Sequence, residues 1–408
     1  MSLTPPDYVS NPYQAWAWIT LGKKEVTLGD DGRPQHLVSF QHQMSSNVAG
    51  HAIVELFDAS WTVIEDLVIA NAQEMTARYG YFGGRQSPTY KLVLQSYTPK
   101  FQPPGVKITF EAVSSVVLGV DDRLVSKTHA GKDIHEIVQG IASARGWKCD
   151  FDEALPVLDN AGLETANLGK ATFVQSKMKD LQFIREVLAP RALRKKDKVG
   201  NYRTWFDDSS NTLHFHPPRA GTEDVVRKYI FMRDRMGEMI SFAPEIKGAA
   251  LAYGGGVSAA PYMDAQTGEV GHVEASDSST PDKTLLGGPS TQTAAPKAEQ
   301  AMVVENRPLR DADQADAAAR NRYHQASDYL YGATAVVVGD PELPVQKIVD
   351  VTVLSPAGKQ HYTSGPYLIL ELLHVITDGS YQTTLTLHRN AQQTADGADK
   401  GTGVVRSS

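Results

Sequence analysis

Apolar and polar residues alternate one for one near both ends of this chain, and that period of two is the strongest constraint on its fold, because it is the period of a strand with one buried face. Val38, Phe40 and Met44 are interleaved with Ser39, Gln41 and Gln43. A second run spans Ala52–Phe57, and the pattern returns in Tyr90, Leu92 and Leu94 and in Val106, Ile108, Phe110 and Ala112. Pro99, Pro103, Pro104 and Gly105 mark the turn between the last two. Further strands are expected at about 225–231 and 238–247. Four more close the chain, at Ala333–Val338, Lys347–Leu354, Tyr367–Ile376 and Tyr381–Arg389.

Two interruptions carry the helical period. Ile64, Leu67, Val68, Ala72 and Met75 recur at three- and four-residue steps and predict a helix over about 63–79, with Thr62 and Glu65 as a capping box and Gly80 as a left-handed stop. In the middle, Asp133 and Glu136 frame a helix whose buried stripe is Ile134, Ile137, Val138 and Ile141, ending before Gly146. A second helix is expected at about 177–189, capped by Ser176, with Asp180 in its first turn and Leu181, Ile184, Val187 and Leu188 on its apolar face. Tyr202–Phe206 and Thr212–His216 flank Asp207-Asp208-Ser209-Ser210-Asn211 as a hairpin.

At 408 residues the chain should hold two to four domains. The expected division is a first β-rich domain at 1–115, a mixed helical insertion with its hairpin at 116–220, and a second β-rich domain split between 221–253 and 311–390. Residues 254–310 are rich in Gly, Ser, Thr, Ala and Pro and read as a long exposed loop, 311–330 as a polar helix, and 391–408 as a flexible tail. The two end domains then share one order of parts, strands, a helix, strands, without residue-level repetition. The fold class is α+β.

Charge and composition narrow the function. Forty Lys and Arg against 47 Asp and Glu leave a net charge of −7, which gives no overall attraction to nucleic acid. A single cysteine, Cys149, excludes an internal disulfide and a multi-cysteine zinc site. Met1–Pro6 has no basic segment followed by an apolar run, and no window approaches 18 apolar residues, so neither a signal peptide nor a membrane span is expected.

Catalytic motifs fail on spacing. His135-Glu136 lacks the second histidine of a zinc peptidase, since Gln139 stands four residues on. His214 and His216 share a strand face, but no third ligand is close in sequence. Gly254-Gly255-Gly256 leads into Ser and Pro rather than a helix, Gly131-Lys132 has no phosphate-loop context, and Cys149 lies at a helix end. Asp30-Asp31, Asp121-Asp122 and Asp207-Asp208 fall in turns, where Asp bonds the backbone. Arg191, Arg194, Lys195, Lys196 and Lys198 follow a helix C-terminus, where cations complement the dipole. No catalytic residue, metal or cofactor is therefore expected. Two other readings stay open, a cell-wall (peptidoglycan) binding module at about 130–216 and a glycan hydrolase whose two carboxylates need no local motif.

Two stretches resemble a known family. Phe173-Val174-Gln175-Ser176-Lys177-Met178-Lys179-Asp180-Leu181-Gln182-Phe183-Ile184, preceded by Ala144-Arg145-Gly146-Trp147, resembles the middle region of phage tail baseplate hub proteins, the late control proteins. Gly339-Asp340-Pro341, Gly365-Pro366-Tyr367-Leu368-Ile369, His374, Gly379-Ser380-Tyr381-Gln382-Thr383 and Leu385–Arg389 resemble the closing β-segment of that family, which is related to the hub part of type VI secretion spike proteins. The structural positions that carry the resemblance are Gln175, Asp180, Phe183, Gly339, Asp340, Pro341, Gly365, Tyr367, His374, Tyr381 and Thr383. It implies two tube-type β domains per chain and a homotrimer whose six domains form a pseudo-hexameric ring. Its partners would be the tail tube protein, the central spike and other baseplate proteins, with DNA only in passage. It also implies a virion component assembled in the bacterial cytoplasm, with no catalysis.

Overall fold

The computed structural model describes residues 15–22, 24–27, 35–46, 50–61, 74–81, 84–114, 124–151, 157–159, 172–194, 202–216, 225–232, 238–246, 257–264, 267–276, 302–303, 312, 315–316, 319, 331–355, 357–377 and 380–389. Its first part holds β1 (Ala15–Leu21), β2 (Lys24–Thr27), β3 (Gln35–Ser45), β4 (His51–Asp58), β5 (Glu74–Tyr81), β6 (Tyr90–Gln102) and β7 (Gly105–Ser114). Alternation works as expected: Ala52, Val54 and Leu56 are buried in β4, and Val106, Ile108, Phe110 and Ala112 in β7. β1 has almost no alternation because Ala15–Ile19 is a continuous apolar run, buried on both faces.

β5 corrects the sequence reading. Residues 62–73 of the expected helix lie outside the described residues, but its last part is strand, paired antiparallel with β1 and β6. Met75, Ala77 and Tyr79 are buried while Glu74, Thr76 and Arg78 are not, so Met75 satisfies both periods and the sequence pattern runs one into the other. Gly80 is no helix stop. It sits in β5 at φ 150°, where a Cβ would come within 2.3 Å of the Arg85 carbonyl oxygen.

The middle part holds β8 (Val125–Ala130), α1 (Ile134–Arg145), β9 (Lys148–Phe151), β10 (Val157–Asp159), β11 (Thr172–Met178), α2 (Asp180–Phe183), β12 (Ala192–Arg194), β13 (Arg203–Asp207) and β14 (Thr212–His216). Asp133 and Glu136 form the expected capping box on α1, Gly146 ends it in the left-handed region, and Ile134, Ile137, Val138 and Ile141 are its buried stripe. The helix expected from 177 starts later. β11 runs through Met178, with Lys177 at φ 48° and a register shift before Met178 bending its end. Lys179, not Ser176, precedes α2, and no side chain caps it. The helical path continues as a π turn over Ile184–Leu188 and a tight turn over Ala189–Arg191.

The last part holds β15 (Val225–Met232), β16 (Met239–Ile246), β17 (Val257–Met263), β18 (Val270–Ser276), β19 (Met302–Val303), β20 (Tyr331–Val338), β21 (Ile348–Leu354), β22 (Gly365–Thr377) and β23 (Ser380–Arg389). β17 and β18 form an antiparallel hairpin, with β19 on β17, inside the stretch expected to be loop. Its strands hide in the composition because their buried residues are small: Ala260 packs against Ala315 and Ala319 of the polar segment that follows. Residues 312, 315, 316 and 319 of that segment are helical.

Thirteen strands from both ends form one sheet in the order β16-β20-β23-β22-β3-β4-β7-β6-β5-β1-β2, with β21 on β22 and β15 on β21. β22 is the joint. Its N-terminal half pairs with β21, Val351 opposite Gly365, and its C-terminal half pairs with β3, from Glu371 opposite Ser45 to Thr377 opposite Ser39. The two halves have their own cores, one around Phe40, Leu56, Ile108 and Phe110 and one around Val337, Val351, Ile369 and Leu387; Ile376 and Tyr381 from the second half are part of the first. Fully burying each such side chain is worth roughly 1.5–3 kcal/mol.

Candidate functional site

The expected signature positions fall into three constellations. The largest lies where the halves meet. The Gly339 N–H donates to the Tyr381 carbonyl at 2.9 Å, and the Tyr81 hydroxyl donates to the Gly339 carbonyl at 3.0 Å. A Cβ on Gly339 would fall 2.1 Å from the Tyr381 ring, so only glycine fits. Asp340 is buried. Its N–H donates to Thr383 Oγ1 at 3.1 Å, Arg227 Nε donates to its Oδ2 at 2.6 Å, and Arg85 from the first half reaches the same oxygen at 3.4 Å. Arg227 also bonds Glu342 at 2.8 Å, and these carboxylates hold its pKa above the usual guanidinium value. A groove of about 710 Å³ opens here, walled by Tyr81, Arg85, Tyr229, Gly339, Asp340 and Tyr381.

Beneath the groove the seam is aromatic. His374 Nδ1 lies 2.9 Å from the Tyr381 hydroxyl and 3.1 Å from Thr383 Oγ1. Its cross-strand partner in β3 is His42, whose Nδ1 lies 3.1 Å from the Tyr79 hydroxyl. Burial drives His42 down to about 3 and His374 well below its ordinary value, each also disfavoured by a neighbouring histidine, so both rings are neutral at neutral pH. Burial likewise raises Tyr81 to about 12. Arg85, Arg227, Tyr81 and His42 are residues that sequence reasoning missed; each sits far from its hydrogen-bond partner in the chain, and only strand pairing brings them together.

Gly365 and Tyr367 belong to a second constellation. Gly365 opens β22 at φ 137°, the Tyr367 hydroxyl donates to the Thr363 carbonyl at 2.6 Å, and Tyr367 packs under the buried guanidinium of Arg389. Arg389 donates to the Ser364 and Tyr362 carbonyls at 2.7 and 2.9 Å. Pro341 follows Asp340 into the turn that starts the return to β21. The third constellation is in the middle part: Gln175 Nε2 donates to Asp180 Oδ1 at 2.8 Å, Arg145 Nε and Nη2 donate to Asp180 Oδ2 at 2.9 and 2.6 Å, and Phe183 is buried against His129. The pair Arg145 and Asp180 ties α1 to the start of α2.

The motifs set aside on spacing are also placed. His135 stacks on Phe151 at 3.9 Å. Burial pushes the Cys149 thiol up to about 11, which removes the thiolate a nucleophile needs. Asp207 accepts from Ser209 and Ser210 and builds the turn, while Asp208, bonded to the Ser114 hydroxyl, is raised by burial to about 7. Arg191 lies over Phe173. Asp30-Asp31, Asp121-Asp122, Gly254-Gly255-Gly256 and Lys195, Lys196 and Lys198 lie outside the described residues. His214 and His216 gain a third group that sequence distance hid. β9 pairs parallel with β14 and sets Asp150 opposite His214.

With 93% of this chain superposed on the whole of its counterpart, the 43 kDa tail protein of prophage MuSo2 from Shewanella oneidensis has a TM-score of 0.60 at 11% identity. This chain has the fold of phage tail proteins. A tail protein from Neisseria meningitidis MC58 gives 0.58 at 12% identity, over 93% of this chain and 97% of that one. The half-lidded PdpA–VgrG complex of Francisella gives 0.52 at 8% identity, over 93% of this chain and 59% of that one. No protein-family model matches the sequence, and no curated protein matches it significantly. The tail-protein fold agrees with the resemblance to baseplate hub proteins and brings both end segments and the middle part into one alignment. Among the described residues no helix is long and apolar enough to cross a membrane.

Proposed function

We propose that this chain is a structural hub of a contractile phage tail baseplate, a homotrimer that joins a six-fold tail tube to a three-fold central spike and lines part of the DNA channel. The observation that carries the reading is β22, which serves as a strand of both halves and fixes their relative position inside one chain. A rigid pair of β-rich halves, repeated three times, supplies six tube-like positions on a three-fold axis. Among the described residues β16, β2 and β15 of the thirteen-stranded sheet pair on one side only, which offers edges for neighbours. The chain turns over no substrate in this reading, with which the full burial of His42 and His374 and the high pKa of its one thiol are in keeping. A net charge of −7 suits a channel that does not retain phosphates.

Light scattering on the purified chain tests the proposal, with a trimer expected either alone or on addition of its spike partner. A chain that stays monomeric with spike and tube proteins present refutes it. Replacing a lumen Asp or Glu by Lys should slow genome ejection. A secretion particle is the second reading, favoured by the likeness to the Francisella PdpA–VgrG complex; locating the chain in purified tail particles distinguishes the two.

A further inference from the structure

Asp150, His214 and His216 form a compact ligand set on the small sheet of the middle part. His214 and His216 are two residues apart on β14 and therefore project from one face. Asp150 is the register partner of His214 on β9, and its Oδ2 lies 2.8 Å from His214 Nδ1 and 2.9 Å from His216 Nε2. The three donor atoms lie within 4.8 Å of one another, and among the described residues no other three His, Cys, Asp or Glu do so. The His216 side chain is 1% exposed, that of His214 19% and that of Asp150 42%, so the set is rooted in the module and open on one side. That side faces a cavity of about 300 Å³ lined also by Trp205, Asp207 and Asp208.

We propose that Asp150, His214 and His216 bind one zinc-class divalent cation, which clips β9 to β14. Two imidazole nitrogens and one carboxylate oxygen are the donor set of tetrahedral zinc sites, which cobalt can report on, with the fourth position left to water from the cavity. Magnesium and calcium, which take all-oxygen shells, are disfavoured. The present separations are hydrogen-bond lengths. An ion at about 2.0–2.1 Å from each donor takes the place of the protons the two rings share with the carboxylate. Trp205 holds the rings in position, stacked on His214 at 4.7 Å and 6° and tilted against His216 at 5.5 Å.

The test uses the full chain, stripped with a chelator and titrated with zinc chloride by calorimetry, and with cobalt chloride by visible absorption. One equivalent should bind with the intense d–d bands of tetrahedral cobalt, and zinc should raise the thermal midpoint. Asp150→Asn and His214→Gln, both at partly exposed positions that a folded chain tolerates, should each weaken binding at least about tenfold. His272→Gln, on the separate β17–β18 hairpin, should leave it unchanged. Absence of stoichiometric binding by the wild-type chain overturns the proposal, as does octahedral cobalt or binding that survives both Asp150→Asn and His214→Gln.

Discussion

Acid should unlock the seam through its histidines. His42 is fully buried beside Tyr79 and Tyr90, faces His374 across the β3–β22 ladder, and is disfavoured as a cation by burial first and by His51 second. Its pKa falls from 6.5 in the unfolded chain to about 3 in the folded one. The unfolded state therefore binds more protons between these values, so the histidine's contribution is fully present above pH 6.5 and is lost as pH falls toward 3. At pH 4.5 the gap is about two pH units, or about 2.7 kcal/mol at 1.36 kcal/mol per unit. His374 acts in the same direction. Asp208, raised to about 7, acts in the opposite one: its folded state holds a proton that the unfolded state has lost, and it gains stability on acidification. Net wild-type stability is therefore a poor readout, and the comparison of wild type with His42→Gln is the informative one. Urea denaturation followed by tryptophan fluorescence at pH 7.5 and 4.5 should show the variant losing about 2–3 kcal/mol less than wild type over that interval. Parallel losses in the two proteins would refute a neutral, buried His42.

Other substitutions probe the remaining constellations. Gly339→Ala drives a methyl group into the Tyr381 ring and should lower stability by about 1–3 kcal/mol, read as a lower thermal midpoint. Asp340→Asn leaves Arg227 without its strongest partner and should cost about 2–4 kcal/mol, less than a fully buried pair because Arg227 is partly exposed; a loss below 0.5 kcal/mol would contradict the geometry. Asp180→Asn should destabilise the middle part while leaving the large sheet folded, which hydrogen exchange in β11 and α1 against β4 and β7 can separate. Tyr81→Phe removes one bond across the seam and should cost about 1 kcal/mol.

What the sequence disclosed follows the range of the interactions involved. α1 was readable down to its cap because Asp133, Glu136 and Gly146 act within a few residues. The long strands β22 and β23 were readable because alternation is strict through β23 and the second half of β22, and most of their buried residues are large. β5 was misread because Met75 belongs equally to a three-to-four and a two-residue repeat, and pairing with β1 decides between them. The β17–β18 hairpin escaped because alanine buries too little to be told from a loop residue. The resemblance singled out Asp340, Tyr381 and Thr383 in one segment, yet their partners Arg85 and Arg227 lie more than 100 residues away and became visible only in the fold. Asp150 was missed for the same reason: 64 residues separate it from His214, and only the parallel β9–β14 pairing sets them opposite one another.

The arrangement of β22 explains why the seam is built from buried polar groups instead of more leucine. A strand that serves both halves of one sheet could slip by two residues and still keep apolar side chains on the same face. Slippage is blocked where pairing is specific: His374 finds Tyr381 and Thr383 in only one register, and Asp340 finds Thr383, Arg227 and Arg85 together in only one. Leu368 and Leu370, buried with Ile348 on the other face of the same strand, add burial without that selectivity. On the proposed hub reading, two halves repeated around an axis need their angle fixed more than they need extra stability, and unique polar registers supply that at the cost of acid sensitivity. If this division of labour holds, apolar replacements at both His42 and His374 should preserve or raise stability while broadening the distribution of assembled species seen by native mass spectrometry. A variant that is more stable and assembles as uniformly as wild type would show that register is set elsewhere.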